Sequence, residues 1–133
     1  MTRTFMAALA IMAATAANSE IANDPVLGVW QTPPDRKDLV SHIRISPCGD
    51  AELCGQVLRS YAPSGEQVET PNVGKRIFWG VEPLGGGKYG NGTAWVPLLD
   101  VTARASMTLE GDTLRVRGCK AVLCDGQTWK RLR

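Results

Sequence analysis

The sequence has little of what an active site requires. It contains one histidine, His42, so a metal site built from several imidazoles cannot form. It has no G-x-S-x-G nucleophile elbow, no P-loop and no C-x-x-C redox motif. The carboxylate pairs Asp35 with Asp38 and Glu66 with Glu69 lie in loop-like stretches and are expected to be solvated charges. These features favour a non-enzymatic protein without a metal ion or cofactor, with His42 expected at the surface.

The chain also lacks a strong excess of charge of one sign. Its 133 residues carry a formal net charge of +2, which gives no reason to expect nucleic acid as a partner. Basic residues do recur on the outward positions of three consecutive predicted strands, namely Arg104, Arg115, Arg117 and Lys130. Such a stripe could attract anionic envelope material. Because the net charge is small, a solvated sheet face with acidic cross-strand partners is the favoured interpretation.

Long hydrophobic runs are missing except at the start of the chain. A short segment with one cation, Arg3, precedes an apolar run over residues 5–17 that contains an A-x-A-like end, Ala14-Thr15-Ala16. This layout predicts a secretion signal over residues 1–17 and a single mature domain over residues 18–133. The run is too short to span a bilayer comfortably, so a short anchor helix is the less favoured alternative. No transmembrane segment is expected in the mature chain.

The four cysteines are Cys48, Cys54, Cys119 and Cys124. An even number of cysteines in an exported chain predicts disulfides. Three pairings are open, and the local one, in which each pair flanks a turn-like stretch, is favoured because cysteines facing each other across a hairpin meet the required Cα spacing. A zinc site of four thiolates fits the C-x5-C and C-x4-C spacings poorly.

The mature part predicts short strands separated by turn residues. Alternation is clearest over residues 102–109, where Ala103, Ala105, Met107 and Leu109 share one face. In an earlier strand, Ile43 and Ile45 share a face opposite His42. Strands are expected at residues 26–32, 39–46, 52–60, 76–82, 88–96, 102–109, 113–119 and 128–132. Eight sequential strands with mostly short connections predict an all-β, up-and-down antiparallel barrel, since closure removes exposed strand edges.

Several motifs resemble a known bacterial family. Gly28-x-Trp30 near the start and Trp129-Lys130-Arg131 near the end resemble the closing arrangement of lipocalin-type barrels, in which a late arginine covers a first-strand tryptophan. The cysteine-containing segments Leu53-Cys54-Gly55 and Arg117-Gly118-Cys119 extend the match. Together these residues resemble the exported bacterial domain-of-unknown-function family two-one-four-seven. The resemblance implies a lipocalin-like barrel, a periplasmic or secreted location and a closing role for Gly28, Trp30, Trp129 and Arg131. It implies no activity.

The aromatic residues are few but biased toward tryptophan, with four Trp against two Phe and two Tyr. Trp79 and Trp95 lie on the strands that flank the Gly85 turn, together with Phe78 and Tyr89. These four are the candidate ligand-binding residues of an apolar cavity. Ordinary core packing is the competing interpretation and is favoured, because aromatic residues supply much of the buried area of cores.

Three function hypotheses follow. The leading one is a non-enzymatic module that binds a small apolar or envelope-derived ligand inside the barrel; it fails if side chains fill the interior. The alternative is a protein-interaction or inhibitor module that presents the long loop over residues 61–75 or the stapled turn between Cys119 and Cys124. An enzyme ranks last, since it requires a buried carboxylate pair with shifted pKa values.

Overall fold

The structure is a computed structural model that describes residues 21–133, together with residues 2, 4, 6–8 and 10. The predicted signal peptide, residues 1–17, falls largely outside the described residues, so it stays a prediction, as does the domain boundary at residue 18. Among the described residues, no helix has the length and apolarity needed to cross a membrane.

The described residues form nine β-strands. They are β1 (Gly28–Gln31), β2 (Val40–Pro47), β3 (Leu53–Tyr61), β4 (Gln67–Val68), β5 (Arg76–Gly85), β6 (Lys88–Val96), β7 (Val101–Glu110), β8 (Thr113–Lys120) and β9 (Leu123–Arg131). The strand order is β2-β1-β9-β8-β7-β6-β5-β3-β4, and β2 also pairs with β3. All the pairings are antiparallel. Eight strands therefore close into an up-and-down barrel, and β4 is an addition at the edge of β3. The predicted all-β, eight-stranded barrel is confirmed.

Two elements differ from the prediction. The loop over residues 61–75 contains the short strand β4, which pairs with Ser60 and Tyr61. The last strand begins at Leu123, whereas the sequence predicts a start at residue 128. Asp125 and Gly126 are residues typical of turns, so the sequence pattern does not indicate a strand at this point. Pairing with β8 and the disulfide at the hairpin hold the segment extended despite its composition.

Both disulfides are local. Cys48 pairs with Cys54 across the turn between β2 and β3, and Cys119 pairs with Cys124 at the end of the β8–β9 hairpin. The favoured pairing is confirmed. Disulfides persist in oxidising environments, so the two bonds indicate an extracytoplasmic location.

The strand connections divide the barrel into two ends. The closed end carries the β2–β3, β5–β6 and β7–β8 turns, with residues 21–27 and the C-terminal residues packed there. The opposite end, called the mouth below, carries the β1–β2 and β3–β5 connections and the β6–β7 and β8–β9 turns. Successive turns alternate between the two ends because every strand runs antiparallel to its neighbours.

Large apolar side chains fill the interior toward the closed end. The buried cluster comprises Ile21, Val26, Trp30, Ile43, Ile45, Leu53, Val57, Phe78, Val81, Tyr89, Ala105, Met107, Leu114 and Trp129. Its members follow the period of two that the sequence shows: Ala105 and Met107 are buried, and the intervening Ser106 is less so. The Phe78 ring lies directly over Gly55, where a Cβ atom would meet ring carbon Cε1 at 2.3 Å. The glycine therefore makes room for the ring.

Arg131 closes the barrel. Its guanidinium carbon lies 4.3 Å from the centroid of the fully buried Trp30 ring. The same guanidinium donates hydrogen bonds to the carbonyl oxygens of Pro25 (2.6 Å) and Leu27 (3.3 Å) and to Oδ1 of Asp112 (3.1 Å). One side chain thus joins the N-terminal segment, β9 and the β7–β8 turn. The structure places Arg131 over Trp30 as the resemblance implies.

Gly28 and Trp129 complete this closed end. Gly28 has a φ of 132°, and a Cβ atom there would meet the carbonyl oxygen of Arg133 at 2.0 Å. The glycine therefore allows the last residues to pack against β1, where the Val29 amide donates a hydrogen bond to the Arg133 carbonyl. Trp129 is buried on the inner face, paired with Leu114.

Replacing Arg131 with Met should destabilise the barrel by about 2–4 kcal/mol, because the cation–π contact and the charged hydrogen bonds to two carbonyls are lost while the aliphatic stem is kept. Chemical denaturation of the two proteins measures the difference. Lys130→Ala is the matched control: Lys130 is exposed on the same strand, and its loss should change stability by less than about 0.5 kcal/mol. Equal effects of the two changes would contradict the closing role.

Replacing Gly55 with Ala should cost about 1–3 kcal/mol, since the new methyl group forces the Phe78 ring to move within a packed core. Gly118→Ala is the control on an inward position near the mouth, where the Cβ atom would lie at an ordinary 3.6 Å from the Ala103 Cβ. Thermal melting should show a large decrease for the first variant and little change for the second. A tolerated alanine at position 55 would show that the interior is loosely packed.

Candidate functional site

The four candidate ligand-binding aromatic residues do not line one common cavity. Phe78 and Tyr89 are 1% and 4% exposed and belong to the buried core cluster. Trp79 and Trp95 are half-buried on the outer face of β5 and β6. Because strand residues alternate between the two faces, the neighbours Phe78 and Trp79 must point to opposite sides of the barrel wall. Core packing therefore accounts for Phe78 and Tyr89.

Tyr89 has a specific polar partner at the closed end. Its hydroxyl donates a 2.6 Å hydrogen bond to Oδ1 of Asp24, and the same carboxylate accepts a hydrogen bond from the Val26 amide. Burial raises the pKa of Tyr89 well above its usual value, and the hydrogen bond to the Asp24 carboxylate raises the pKa further. The phenol therefore stays protonated and serves to fasten the N-terminal segment to β6.

Trp95 is held near the mouth by polar contacts. Its indole Nε1 donates a 2.9 Å hydrogen bond to Oδ1 of Asp100 in the β6–β7 turn. The Lys75 ammonium nitrogen lies 5.2 Å from the centre of the Trp95 ring, within the range of a cation–π contact. Trp95 thus links the connection before β5 to the β6–β7 turn.

Two shallow depressions, of about 380 and 310 Å³, lie among the described residues. The first is lined by residues 93, 102–104 and 119–121, and the second by residues 115–117 and 124–128. Both lie on strands β6 to β9, and no member of the buried core cluster lines either of them. The two depressions therefore lie on the wall of the barrel near the mouth.

His42 lies on the outer face, opposite Ile43 and Ile45, as the alternation predicts. Its ring packs against Tyr61 with the ring centroids 4.6 Å apart. Partial burial lowers the pKa of His42, and the positive charges of Arg59 and Arg133 lower it further. The residue is therefore neutral near pH 7, and it packs against an aromatic ring in the field of two arginines.

The carboxylates of residues 21–133 lie at or near the surface. None of their side chains is buried, and Asp35, Asp38, Glu66 and Glu69 are exposed, as expected of loop charges. Asp35 has a local role, since its Oδ1 accepts hydrogen bonds from the amides of Lys37 and Leu39. Within the same part of the chain, no three His, Cys, Asp or Glu residues are grouped to hold a metal ion.

Apolar side chains are exposed at the mouth. Val122 and Leu123, at the β8–β9 turn, are 93% and 78% exposed, and Leu98 and Leu99, in the β6–β7 turn, are 61% and 67% exposed. Both turns lie at the mouth, at the ends of strands β7 and β8, which pair with each other as far as Arg104–Cys119. These four residues are called the apolar tip below. The Cys119–Cys124 disulfide lies directly behind Val122 and Leu123, so the tip is presented on a stapled hairpin.

The basic stripe lacks the acidic partners that the sequence suggests. Arg104, Arg115, Arg117 and Lys130 are all exposed. The ion pair that the structure shows among residues 21–133 joins Arg131 to Asp112 and involves none of them. The expectation of acidic cross-strand partners is therefore wrong for this region. By alternation, the carboxylate that shares this outer face on β7 to β9 is Glu110, at the closed end.

His42 should make stability depend on pH. Because its pKa is lowered in the folded state, the unfolded chain binds the proton more readily, and stability is lost as pH falls below the ordinary pKa of 6.5. The urea concentration at the unfolding midpoint should decrease when the pH is lowered from 7.5 to 5.5. In the His42→Gln variant this decrease should be smaller. An identical pH dependence in the two proteins would show that His42 is not its source.

Comparison with known proteins identifies relatives at the level of family and fold. A search of curated protein sequences gives no match. A solved structure of protein HP1028 from the human pathogen Helicobacter pylori, described as belonging to the lipocalin family, superposes with a TM-score of 0.64. The two chains are 14% identical, and the match covers 81% of this chain and 83% of the other. At this identity the likeness shows a shared fold.

A family model describing an uncharacterized protein conserved in bacteria, DUF2147, matches residues 28–131. The matched segment runs from the first strand of the barrel to the last residue of β9 and so includes both disulfides and the closing arginine. The chain therefore belongs to the DUF2147 family, and its fold is a lipocalin-like β-barrel.

Proposed function

We propose that this protein is an exported, non-enzymatic interaction module that presents the stapled β8–β9 hairpin to a partner protein. The observation that carries the proposal is the exposure of Val122 and Leu123 at the end of a disulfide-closed hairpin. Exposed apolar residues that cluster with others are a common mark of a protein-interaction site. Here four of them lie on two turns at the mouth.

The disulfide supports the proposal on energetic grounds. A loop that is already held in its bound conformation loses less conformational entropy when it binds, so its contacts contribute more to affinity. The Cys119–Cys124 bond closes the hairpin, and the cross-strand bonds between β8 and β9 continue the constraint into the barrel wall. The apolar tip is therefore presented by a rigid support.

Export is part of the proposal. The N-terminal sequence has the layout of a secretion signal, and two disulfides are stable in the compartment beyond the inner membrane. The periplasm or the cell exterior of a bacterium is the proposed location. The partner is accordingly a protein of the envelope or of the surroundings.

A small apolar ligand is the second candidate function. The likeness to a structure described as a lipocalin favours it, because eight-stranded barrels of this kind can hold one small molecule. Against it, core side chains fill the interior toward the closed end, and the shallow depressions lie on the barrel wall. Native mass spectrometry of the mature protein distinguishes the two candidates, since a retained ligand adds mass that is lost on denaturation.

Replacing both Val122 and Leu123 with Ser tests the proposed function. Both side chains are exposed, so the stability of the barrel should change little. Recovery of partner protein from the bacterial envelope fraction, measured by quantitative mass spectrometry, should decrease at least tenfold. Cys119→Ala with Cys124→Ala should weaken recovery in the same direction while the barrel stays folded.

Leu84→Ser is the matched control for that experiment. Leu84 is 57% exposed on β5 near the β5–β6 turn, at the opposite end of the barrel, so its replacement should leave recovery unchanged. Equal recovery by the wild type and the Val122/Leu123 variant would contradict the proposal. Equal losses in the tip variant and the Leu84 variant would indicate nonspecific adhesion and would also contradict it.

A further inference from the structure

The barrel closes through a short seam that leaves part of one strand uncovered. β1 has four residues, and it pairs with β9 only at Trp30–Arg131 and Gln31–Lys130. After Thr32 the chain turns away at Pro33 and Pro34, which have no amide hydrogen to donate to a neighbouring strand. Residues 123–128 of β9 therefore pair with β8 on one side and have no strand on the other among the described residues.

The register identifies which backbone groups are uncovered. The Cα atoms of Cys119 and Cys124 are 4.1 Å apart, a spacing typical of the non-hydrogen-bonded pair in an antiparallel ladder. Cys124, Gly126 and Thr128 therefore direct their amide and carbonyl groups away from β8. All residues from 123 to 128 are exposed. The Gly126 amide donates a 2.9 Å hydrogen bond to the side chain of its neighbour Asp125, so one donor of the free edge is already occupied.

We propose that an extended, acidic segment of the partner protein adds as a strand to this free edge of β9. The inference rests on the proposed function, because it states how part of that partner is held. Addition of a strand to an exposed sheet edge is a common mode of peptide recognition, in which backbone hydrogen bonds give affinity and alternate side chains give specificity. A segment of about five residues fits residues 124–128, provided that it displaces the Asp125 side chain from the Gly126 amide.

The positive charges near the free edge favour an acidic segment over a basic one. Arg115 and Arg117 lie on the outer face of β8, opposite Thr128 and Gly126 of β9, so one strand separates them from the free edge. Lys130 lies on β9 itself. These cations have no ion pair among residues 21–133. An added strand would lie two strand spacings, about 10 Å, from β8. Because arginine side chains are long and Gly126 has no side chain, Arg117 and Arg115 can extend across β9 toward the outward side chains of that strand. Asp or Glu at alternate positions would then gain attraction, and Lys or Arg would meet repulsion.

The same charges argue against a second copy of this chain as the occupant. Edge-to-edge pairing of two β9 strands would join the two outer faces into one surface that carries Arg115, Arg117 and Lys130 twice. A polyanion that is not a peptide would meet the cations, but it would leave the amides of Gly126 and Thr128 without carbonyl partners. A peptide backbone with acidic side chains satisfies both features.

The test uses a blocked six-residue peptide of alternating Glu and Thr, titrated into the mature, oxidised protein and followed by NMR. Binding should slow hydrogen exchange at the Gly126 and Thr128 amides. The same peptide with Lys in place of Glu should bind at least tenfold more weakly. So should a Glu–Thr peptide whose alternate amides are methylated, since it cannot pair with a strand edge.

Protein variants separate the charge from the edge. Arg117→Glu should weaken binding of the Glu–Thr peptide at least tenfold, and Arg76→Glu, an identical charge change on the distant strand β5, should leave it unchanged. Thr128→Pro removes an edge-facing amide and should also weaken binding at least tenfold. If this variant does not fold, the methylated peptide provides the same test.

Three results would overturn the inference. Binding that is insensitive to methylation and leaves the edge amides unchanged would mean that the basic face attracts polyanions in general. Edge amides that are protected in the free protein in a concentration-dependent way would identify a second copy as the occupant. Absence of binding would also overturn it. The proposed function is tested separately, by the dependence of partner recovery on Val122 and Leu123. If that dependence is observed, the proposed function stands even when the peptide experiments overturn strand addition, so the two failures are distinguishable.

Discussion

The barrel depends on the contact between Arg131 and Trp30. The two strands that meet at the seam, β1 and β9, share two residue pairs, and Val29 adds backbone hydrogen bonds to residues 132 and 133. The guanidinium reinforces this short seam because it covers the buried indole and binds two carbonyl oxygens of the N-terminal segment. A rigid, planar group with several donors can satisfy these partners at once, which a lysine ammonium cannot do.

The shortness of β1 also explains the most unusual surface of the molecule. A longer first strand would cover β9 along its whole length and leave no edge. Two consecutive prolines follow the paired residues instead, and residues 123–128 of β9 are exposed, with a strand on one side only. The disulfide at its end then limits fraying of a hairpin that has lost support on one side. The free edge of β9 is thus a consequence of the short first strand.

Much of the fold could be predicted from local sequence patterns. Alternation in β2 and β7 correctly places Ile43, Ile45, Ala105 and Met107 inside. The spacing of the cysteines favours the pairing that is present. The beginning of β9 could not be predicted, because Asp125 and Gly126 oppose a strand locally and only pairing with β8 overrides that preference. The strand β4 was missed for a related reason: two residues show no periodicity.

The sequence by itself determined the class of fold, because short-range periodicity shows the strands, and the spacing of the cysteines favoured the local disulfides. The closing residues were identified by the resemblance of their motifs to lipocalin-type barrels. The tertiary structure decided which surfaces remain uncovered. Residues 123–128 of β9 have no second strand beside them among the described residues, and the cations of β7 to β9 gather where no acidic strand adjoins them. Such features depend on which strands become neighbours and where their pairing stops, and a one-dimensional pattern does not contain that information.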